Sequence, residues 1–402
     1  MRILFCHENF PGRFGFMAEH LAANPENEVL FASCHQRRGA TVPGVRRIIL
    51  RTEAARRSPQ EENCAQAWCR ATLSGKGGYA FLQRINAEFQ PHWVLSSASR
   101  GATFFVQRAF PQAFHVFYAG VGETNRQPAD LAEDKKAELD MQCVQILQSR
   151  LCFVFSARQR AFFPPAIRAN LRCATPWVDT DWMCPDSTAV LRCEELEHVP
   201  GQELVSFDVR HFAAALAKDL RDLFVGLLAA RPSCRVLVCF GGNPMRKLFE
   251  AWRPHLPDAM RRRLHLANFL PLAEYRNMFR VTRLHVCADA APSPLPGCLE
   301  AMSCGAALML PAPPASFVSL ASGAAFLKPG ENMLPLPQNG PQEQLAAVLR
   351  ALDRPDRLAD LGFAARRSVV AAYSPQKLVP PHVETVLAEY ERFRQGQRGD
   401  LA

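Results

Sequence analysis

The chain has 402 residues, of which 48% are hydrophobic and 21% charged, so it can build a large core and is long enough for two or more domains. Its longest apolar runs, such as Val236–Phe240 and Ala306–Leu310, are far too short to span a membrane, and no secretory leader is expected. The formal net charge of +9 has two interpretations. The basic residues lie on solvated helix faces, or they attract an anionic membrane or a nucleotide ligand. The sequence contains no basic–aromatic repeat of the kind that would indicate nucleic-acid binding.

The cysteine pattern argues against a disulfide framework and against a metal site. None of the 14 cysteines forms a C-x-x-C pair, and several lie inside apolar strand or helix patterns. We interpret them as reduced, buried thiols of a cytoplasmic protein. Because no His or Cys pair has metal-ligand spacing, we expect neither a metal nor a cofactor.

The first half of the chain alternates strand and helix patterns, which predicts a parallel sheet with helices on both faces. The expected strands are Arg2–Cys6, Asn27–Ala32, Trp93–Ser96, His115–Tyr118 and Leu151–Phe155. The expected helices are Phe14–Ala23, Gln60–Phe89 with an interruption at Gly77-Gly78, Ala102–Ala109 and Ala129–Ser149.

The second half repeats this alternation and predicts a second sheet of the same kind. The expected strands are Leu204–Val209, Arg235–Phe240, Leu264–Ala267, Arg283–Ala288 and Ala306–Leu310. The expected helices are Ala213–Arg231, Pro244–Trp252, Leu272–Phe279, a helix at Glu300, Pro341–Leu352, Pro355–Tyr373 and Gln376–Arg394.

Proline-rich and charged residues between the halves predict a domain junction near 185–202. The expected organisation is an N-terminal domain over 1–190, a C-terminal domain over 200–375, and a helix and tail over 376–402 that packs back on the N-terminal domain. The predicted fold class is α/β, with two Rossmann-like doubly wound domains, an interdomain cleft and a closing C-terminal helix. Ligands of such sheets bind beyond the carboxyl ends of the strands.

The segment Pro296–Gly305 combines a carboxylate, Glu300, with small residues, and a Gly330-Glu331-Asn332 turn follows further on. We expect Glu300 to open a helix. A carboxylate can accept two hydroxyl donors at once, and a helix N-terminus suits a diphosphate. The alternatives are a helix-terminal acid that only favours the dipole and an ordinary surface turn.

The opening segment, Arg2–Phe14, places His-Glu-Asn-Phe-Pro-Gly directly after a short strand. Together with Pro296–Gly305, it resembles a subgroup of bacterial family 4 (group 1) glycosyltransferases that begins with a strand and His-Gln-Asn-Phe-Pro-Gly. The similarity continues through Phe153–Pro164 and Leu264–Asn277, and it is clearest at Leu299–Gly305 and Pro329–Leu336. The resemblance implies a GT-B fold and retaining, metal-independent transfer from a nucleotide-diphosphate sugar. The donor would lie on the C-terminal domain and the acceptor on the N-terminal domain.

The resemblance also implies roles for individual residues. The donor-binding candidates are Glu300, Arg210, Lys218, Gly241, Gly242 and Asn268, and the cleft-loop candidates are Gly12 and Asn9. No catalytic residue is assigned, and the candidates are His7 and Arg100. Each has a structural alternative: a tight turn for the glycines, a core position for the histidine and a solvated surface for the cations.

Several positions depart from the family pattern and keep other functions open. Pro292 stands where a carboxylate is usual, Ser96–Gly101 lacks the expected His and Glu, and Gly120 replaces another Glu. A catalytically degenerate GT-B-like binding or assembly subunit is therefore the main alternative, and a sugar-nucleotide epimerase is a third reading.

The implied partners are a nucleotide sugar and a glycan, lipid-linked or protein acceptor, as in polysaccharide or glycoprotein biosynthesis. The implied location is the cytoplasm, with the inner face of an anionic membrane as the alternative.

Overall fold

The computed structural model describes residues 1–36, 40–50, 63–98, 101–120, 131, 133–193, 196–210, 216–287, 296–311 and 326–399. The chain divides into two compact units. Unit 1 comprises Met1–Gly122, Arg126–Pro176 and Gln376–Ala402, and unit 2 comprises Glu123–Asn125 and Trp177–Pro375.

Each unit is built on one parallel sheet. Unit 1 has the strand order β3-β2-β1-β4-β5-β6-β7, and unit 2 has the order β12-β11-β10-β13-β14-β15 with a separate antiparallel pair, β8-β9. The strands are β1 (Arg2–Phe10), β2 (Glu28–Gln36), β3 (Val45–Ile49), β4 (Trp93–Ser97), β5 (Phe114–Tyr118), β6 (Leu151–Val154), β7 (Leu171–Cys173), β8 (Leu191–Cys193), β9 (Leu196–His198), β10 (Leu204–Asp208), β11 (Arg235–Cys239), β12 (Leu264–Ala267), β13 (Leu284–Cys287), β14 (Ala307–Pro311) and β15 (Leu334–Leu336).

Helices connect most of the parallel strands, as crossover connections require. They are α1 (Gly15–Ala22), α2 (Cys64–Phe89), α3 (Val106–Ala109), α4 (Glu133–Gln148), α5 (Ala157–Ala161), α6 (Pro165–Arg168), α7 (Ala217–Ala230), α8 (Met245–Trp252), α9 (Asp258–Arg261), α10 (Leu272–Val281), α11 (Pro296–Ser303), α12 (Pro341–Leu352), α13 (Pro355–Tyr373) and α14 (Pro375–Gly399). The predicted α/β class with two doubly wound sheets is confirmed. In the described ranges, no helix combines the length and the apolar character needed to cross a membrane.

Burial explains which elements the sequence pattern reveals. Every residue of β4 and β5 is buried, so these central strands are rich in apolar residues, with Ser96, Ser97 and His115 as their buried polar members. In α7 the apolar residues Leu220, Leu223, Phe224 and Leu227 recur at helical spacing, and all are buried against the unit 2 sheet. The edge strand β3, Val-Arg-Arg-Ile-Ile, has no fully buried residue and was not predicted.

Helix α2 is not interrupted at Gly77-Gly78, contrary to the prediction. A capping box starts the helix, with the main-chain N of Gln66 donating to Asn63 Oδ1 at 2.9 Å. A Cβ placed on Gly78 would lie 2.3 Å from the main-chain oxygen of Ala102. The glycine therefore serves close packing inside the helix and does not break it.

The units divide between residues 176 and 177, earlier than the predicted junction at 185–202. The segment before β8 is held by the second unit. Arg280 donates from Nε to the main-chain oxygen of Cys184 at 2.7 Å and pairs with Asp186 at 3.1 Å. Proline content marks an irregular segment, whereas tertiary contacts decide which unit that segment joins.

Helix α14 belongs to unit 1 although it ends the chain. Its Tyr390 packs edge-on against Trp93 at 5.3 Å and Phe114 at 5.7 Å, and Glu389 pairs with Arg172 at 2.8 Å. These contacts join the helix to strands β4, β5 and β7.

Candidate functional site

Polar residues gather at the carboxyl edge of the unit 2 sheet. Strands β12, β11, β10 and β13 are adjacent and parallel, so the loops that follow them emerge at one edge. Arg210 follows β10, Gly241 and Gly242 follow β11, and Asn268 follows β12. Four of the predicted donor-site residues therefore lie on neighbouring loops.

The ion pair between Asp208 and Arg210 forms the centre of this cluster. Arg210 Nε lies 3.0 and 2.9 Å from the two carboxylate oxygens of Asp208, and Nη2 lies 2.6 Å from Oδ2. Burial disfavours the Asp208 anion, but the charge and hydrogen bonds of Arg210 outweigh it, so the pKa of Asp208 lies below its usual range. Burial likewise opposes the Arg210 cation, yet Asp208 raises its pKa. Both groups are therefore charged at neutral pH.

Glu300 lies on α11 and accepts a hydrogen bond from Tyr275 Oη at 2.8 Å. The helix begins at Pro296, so Glu300 lies in its second turn and does not open the helix as predicted. The pKa of Tyr275 is raised by burial and by the negative charge of Glu300, so its hydroxyl stays protonated and donates. The negative charge of Glu300 also contributes to the raised pKa of Arg210.

Gly297 brings the first turn of α11 against the ion pair. A Cβ at this position would lie 2.5 Å from Arg210 Nη2 and 3.2 Å from Tyr275 Oη. Sequence reasoning missed Asp208, Tyr275 and Gly297. A strand that ends in an acidic residue two positions before an arginine is the one local signal, and it is too common to identify a site.

The two glycines after β11 have positive φ angles, +54° for Gly241 and +90° for Gly242. A Cβ on Gly241 would lie 2.4 Å from Arg210 Cδ, so the arginine stem packs directly on this glycine. The main-chain N of Gly242 donates to Asn268 Oδ1 at 2.7 Å. Asn268 therefore holds the glycine turn with its side chain.

Two predicted residues are not placed in this cluster. Lys218 lies at the start of α7 with an exposed side chain, and among the described residues it has no ion pair. Arg100 lies outside the described residues.

In unit 1 the predicted cleft residues surround the end of β1. The strand continues to Phe10, so His7 and Asn9 lie within it and not beyond its end. His7 Nδ1 is 3.0 Å from the main-chain N of Asn9, and a Cβ on Gly12, whose φ is +51°, would lie 2.6 Å from the His7 ring. Burial, joined by the charge of Arg13, lowers the pKa of His7 to about 4. The imidazole is therefore neutral at pH 7.

Hydrogen bonds within unit 1 hold two of the positions that depart from the family pattern, Gly120 and Ser97, whereas Pro292 lies outside the described residues. Gln142 donates to the main-chain oxygen of Gly120 at 3.2 Å and accepts from its N at 2.8 Å. Thr103 donates to the main-chain oxygen of Ser97 at 2.8 Å.

The Gly330-Glu331-Asn332 turn is likewise held by its own side chains. Asn332 is 3% exposed and bonds the main chains of Phe326 and Lys328, each at 2.8 Å. These bonds agree with the structural reading of the turn. Among the described residues, no group of three or more His, Cys, Asp or Glu side chains could hold a metal ion.

Comparison with known proteins gives a family match for part of the chain and a fold match for nearly all of it. Residues 25–183 match the model described as glycosyl transferase family 4 group. No curated protein sequence matches the chain.

Three solved structures illustrate the fold. Sucrose-phosphate synthase from Thermosynechococcus elongatus aligns with a TM-score of 0.67 at 14% identity, covering 98% of this chain and 100% of that chain. Anabaena HepE in complex with UDP-glucose aligns with a TM-score of 0.64 at 11% identity, covering 96% and 100%. A putative UDP-N-acetylglucosamine 2-epimerase from Listeria monocytogenes aligns with a TM-score of 0.59 at 12% identity, covering 97% of each chain. The chain thus has the GT-B glycosyltransferase fold, and its residues 25–183 match the glycosyl transferase family 4 group.

Proposed function

We propose that the protein is a glycosyltransferase that takes a sugar from a nucleotide-diphosphate donor bound at the carboxyl edge of the unit 2 sheet. The observation that carries the proposal is the meeting of a cation and a carboxylate beside two glycines. Arg210 lies against Gly241 and Gly297, and Glu300 is hydrogen-bonded to Tyr275. A cation for phosphate and a carboxylate for hydroxyl groups are what a nucleotide diphosphate requires.

Arg210 would bind the diphosphate. Its Nε and Nη2 atoms are directed to Asp208, and in the described part of the chain Nη1 has no partner. A guanidinium carries five N–H donors, so it can bind phosphate oxygens while it stays paired. The Asp208 carboxylate orients the side chain and keeps it charged.

Glu300 would bind the ribose hydroxyls. A carboxylate has about four lone-pair sites, so the Tyr275 bond leaves capacity for further donors. Tyr275 fixes the carboxylate orientation and is therefore a positioning residue. Asn268 and the glycine turn it holds would lie near the base.

Stabilisation of the leaving group would supply most of the rate acceleration. The diphosphate gains negative charge as the glycosidic bond breaks, and the fixed cation of Arg210 stabilises that charge without reorganisation. Retention of configuration and independence of metal are part of this proposal on the strength of the sequence resemblance alone. His7, neutral and near the end of β1, is the unit 1 group that could contact an acceptor.

The acceptor class is a glycan, a lipid-linked sugar or a protein. The formal net charge of +9 supports work at the inner face of an anionic membrane. UDP is the first nucleotide to test because the Anabaena HepE structures contain UDP and UDP-glucose.

The second candidate is a binding or assembly subunit without turnover. Ser96 stands where the resemblance leads us to expect a histidine, and Gly120 stands where it leads us to expect a glutamate. Both lie at the carboxyl ends of their strands, β4 and β5, so these replacements favour the second candidate. Such a subunit could still bind a nucleotide. Release of free sugar or nucleotide from a UDP-sugar therefore separates the two candidates, because only an enzyme consumes the donor.

The binding test uses thermal unfolding with UDP, GDP, ADP and TDP, each with and without Mg²⁺. A ligand at ~100 times its dissociation constant should add about 2.7 kcal/mol to the free energy of unfolding. We expect stabilisation by one nucleotide, independent of Mg²⁺ and lost in Glu300→Gln. Glu331→Gln, the same change on an exposed side chain, should keep the shift. No shift with any nucleotide in the wild type would contradict the donor site.

A further inference from the structure

A cavity of about 530 Å³ lies in unit 1, at the edge of the sheet opposite the carboxyl ends of its strands. Its walls include His92, which precedes β4, Gln112, which precedes β5, and Gln90, which follows α2. Neighbouring residues of these segments, Asn86, Pro91, Phe110, Pro111 and Ala113, also line it, and α14 contributes Tyr390, Phe393 and Arg394. This volume is within the usual range for small-molecule sites. The cavity is distinct from the residues around the end of β1, because those lie at the carboxyl edge.

Two aromatic rings of α14, Tyr390 and Phe393, line the cavity. They are three residues apart on the helix and share one face. Both rings pack against Phe114, with centroids at 5.7 and 5.5 Å, and Tyr390 also packs on Trp93 at 5.3 Å. These contacts fix the rings before any ligand arrives. Tyr390 is only 7% exposed, so Phe393, which is half-buried, supplies the fixed aromatic surface that can contact the flat C–H face of a sugar ring with little loss of entropy.

Side chains able both to donate and to accept hydrogen bonds surround these rings. The amides of Gln90 and Gln112 do both. His92 Nδ1 accepts from the main-chain N of Arg2 at 2.9 Å, so the neutral ring carries its proton on Nε2. Burial and the charges of Arg2 and Arg394 lower the pKa of His92, which keeps the ring neutral. Such groups complement sugar hydroxyls, each of which is both a donor and an acceptor.

The charge around the cavity is positive. Arg394 lines it, and no Asp or Glu is among its lining residues. Arg150 lies over the Phe393 ring at 5.4 Å, and Arg2 donates from Nε to the main-chain oxygen of Gln90 at 2.9 Å. A concave site with one sign of charge concentrates ligands of the opposite sign.

We propose that this cavity binds an acidic saccharide, a sugar unit that carries a carboxylate or a phosphate. The ring would pack on the exposed part of Phe393, the hydroxyls would bond to His92 and the glutamine amides, and the acid group would pair with Arg394. The site goes beyond the proposed function, because its residues belong to unit 1 and binding requires no nucleotide. In a glycosyltransferase it would hold part of the acceptor glycan away from the reacting bond.

The test is isothermal titration of the full chain with three probes, without nucleotide. Trigalacturonic acid supplies carboxylates, mannose 6-phosphate supplies a phosphate, and maltotriose is the neutral control. The variants are Arg394→Ala and Gln112→Ala, which change exposed side chains and should leave the fold intact. Arg392→Ala is the matched control, because it removes the same group from the same helix and does not line the cavity.

We expect at least one acidic probe to bind and maltotriose to bind at least about tenfold more weakly. Arg394→Ala should weaken the acidic probe by about tenfold or more, since a charge-assisted hydrogen bond is lost. Gln112→Ala should weaken it less, and Arg392→Ala should leave it unchanged. The two acidic probes distinguish a carboxylate ligand from a phosphate ligand.

Three results would overturn the proposal. They are no binding of either acidic probe at about 10 mM, equal binding of maltotriose, and equal loss in the Arg394 and Arg392 variants. The thermal shift with nucleotide should be the same in Arg394→Ala and in the wild type. Failure of this site and failure of the donor site are therefore separate outcomes.

Discussion

Replacement of Arg210 by alanine would remove the cation that balances the carboxylate of Asp208. The Asp208 side chain is 8% exposed and accepts hydrogen bonds from Nε, Nη2 and the main-chain N of Arg210. Removing one member of a buried ion pair costs about 3–5 kcal/mol. The Arg210 side chain is 31% exposed, so water partly solvates the pair, and we expect a loss of about 2–3 kcal/mol.

The pH dependence of stability should also change sign. In the wild type the pKa of Asp208 is lowered, so its contribution is present above the unfolded pKa and is lost as pH falls through the folded pKa. In Arg210→Ala, burial remains as the main influence and raises the pKa of Asp208. The loss of stability caused by the buried, unpaired Asp208 anion then appears as the pH rises through the raised pKa. The variant should therefore regain stability relative to the wild type as the pH falls through that raised pKa.

Urea unfolding of the full chain at pH 7 and at a series of lower pH values measures both effects. Lys328→Ala is the control, because it breaks an exposed pair with Glu331 and should cost less than about 1 kcal/mol. The double variant Asp208→Asn/Arg210→Ala should be more stable than Arg210→Ala at pH 7, since no buried charge is left unpaired. If Arg210→Ala costs no more than the control, or follows the wild-type pH profile, the account of a buried, mutually dependent pair is refuted.

Three further substitutions test other parts of unit 2. Gly362→Ala would place a Cβ 2.1 Å from the main-chain oxygen of Gly305, so urea unfolding should show a loss of about 1–3 kcal/mol of stability. Gly396→Ala is the control, because a Cβ there has no atom within 4 Å and should not reduce the stability. Asn332→Ala removes two hydrogen bonds of 2.8 Å between the main chain and a residue that is 3% exposed. A melting experiment should therefore show a loss of about 2–3 kcal/mol of stability, and an unchanged melting temperature would contradict this account. Tyr275→Phe removes one hydrogen bond from the Glu300 carboxylate and should weaken nucleotide binding in titrations while costing about 1 kcal/mol of stability. Unaltered affinity would argue against its positioning role.

Much of the fold could be predicted because its strands are buried on both faces. Strands β4 and β5 are rich in apolar residues, and α12 and α13 have the predicted bounds, since proline marks the first residue of each helix. The elements that were missed have weak local signals. Strand β3 is a half-polar edge, and β15 has three residues, one of them a proline.

The candidate site could be predicted only in part. Glu300, Arg210 and Asn268 were selected by resemblance, and the strand order explains why their loops meet. Their partners, Asp208 and Tyr275, could not be selected, because an acid at a strand end and a tyrosine in a helix are common. The pairing of Tyr275 with Glu300 joins residues 25 positions apart, and a local pattern does not encode that distance.

The sequence by itself determined the α/β class and the repeated strand–helix alternation. These follow from hydrophobic periodicity and from residue types with few conformational alternatives, both of which are local properties of the chain. Tertiary structure alone decided that residues 177–193 join unit 2, that Gly78 packs against Ala102 and that α14 lines a cavity with His92. Each of these depends on contact between segments distant in the chain, and contact energies and charges act through space, independently of sequence order.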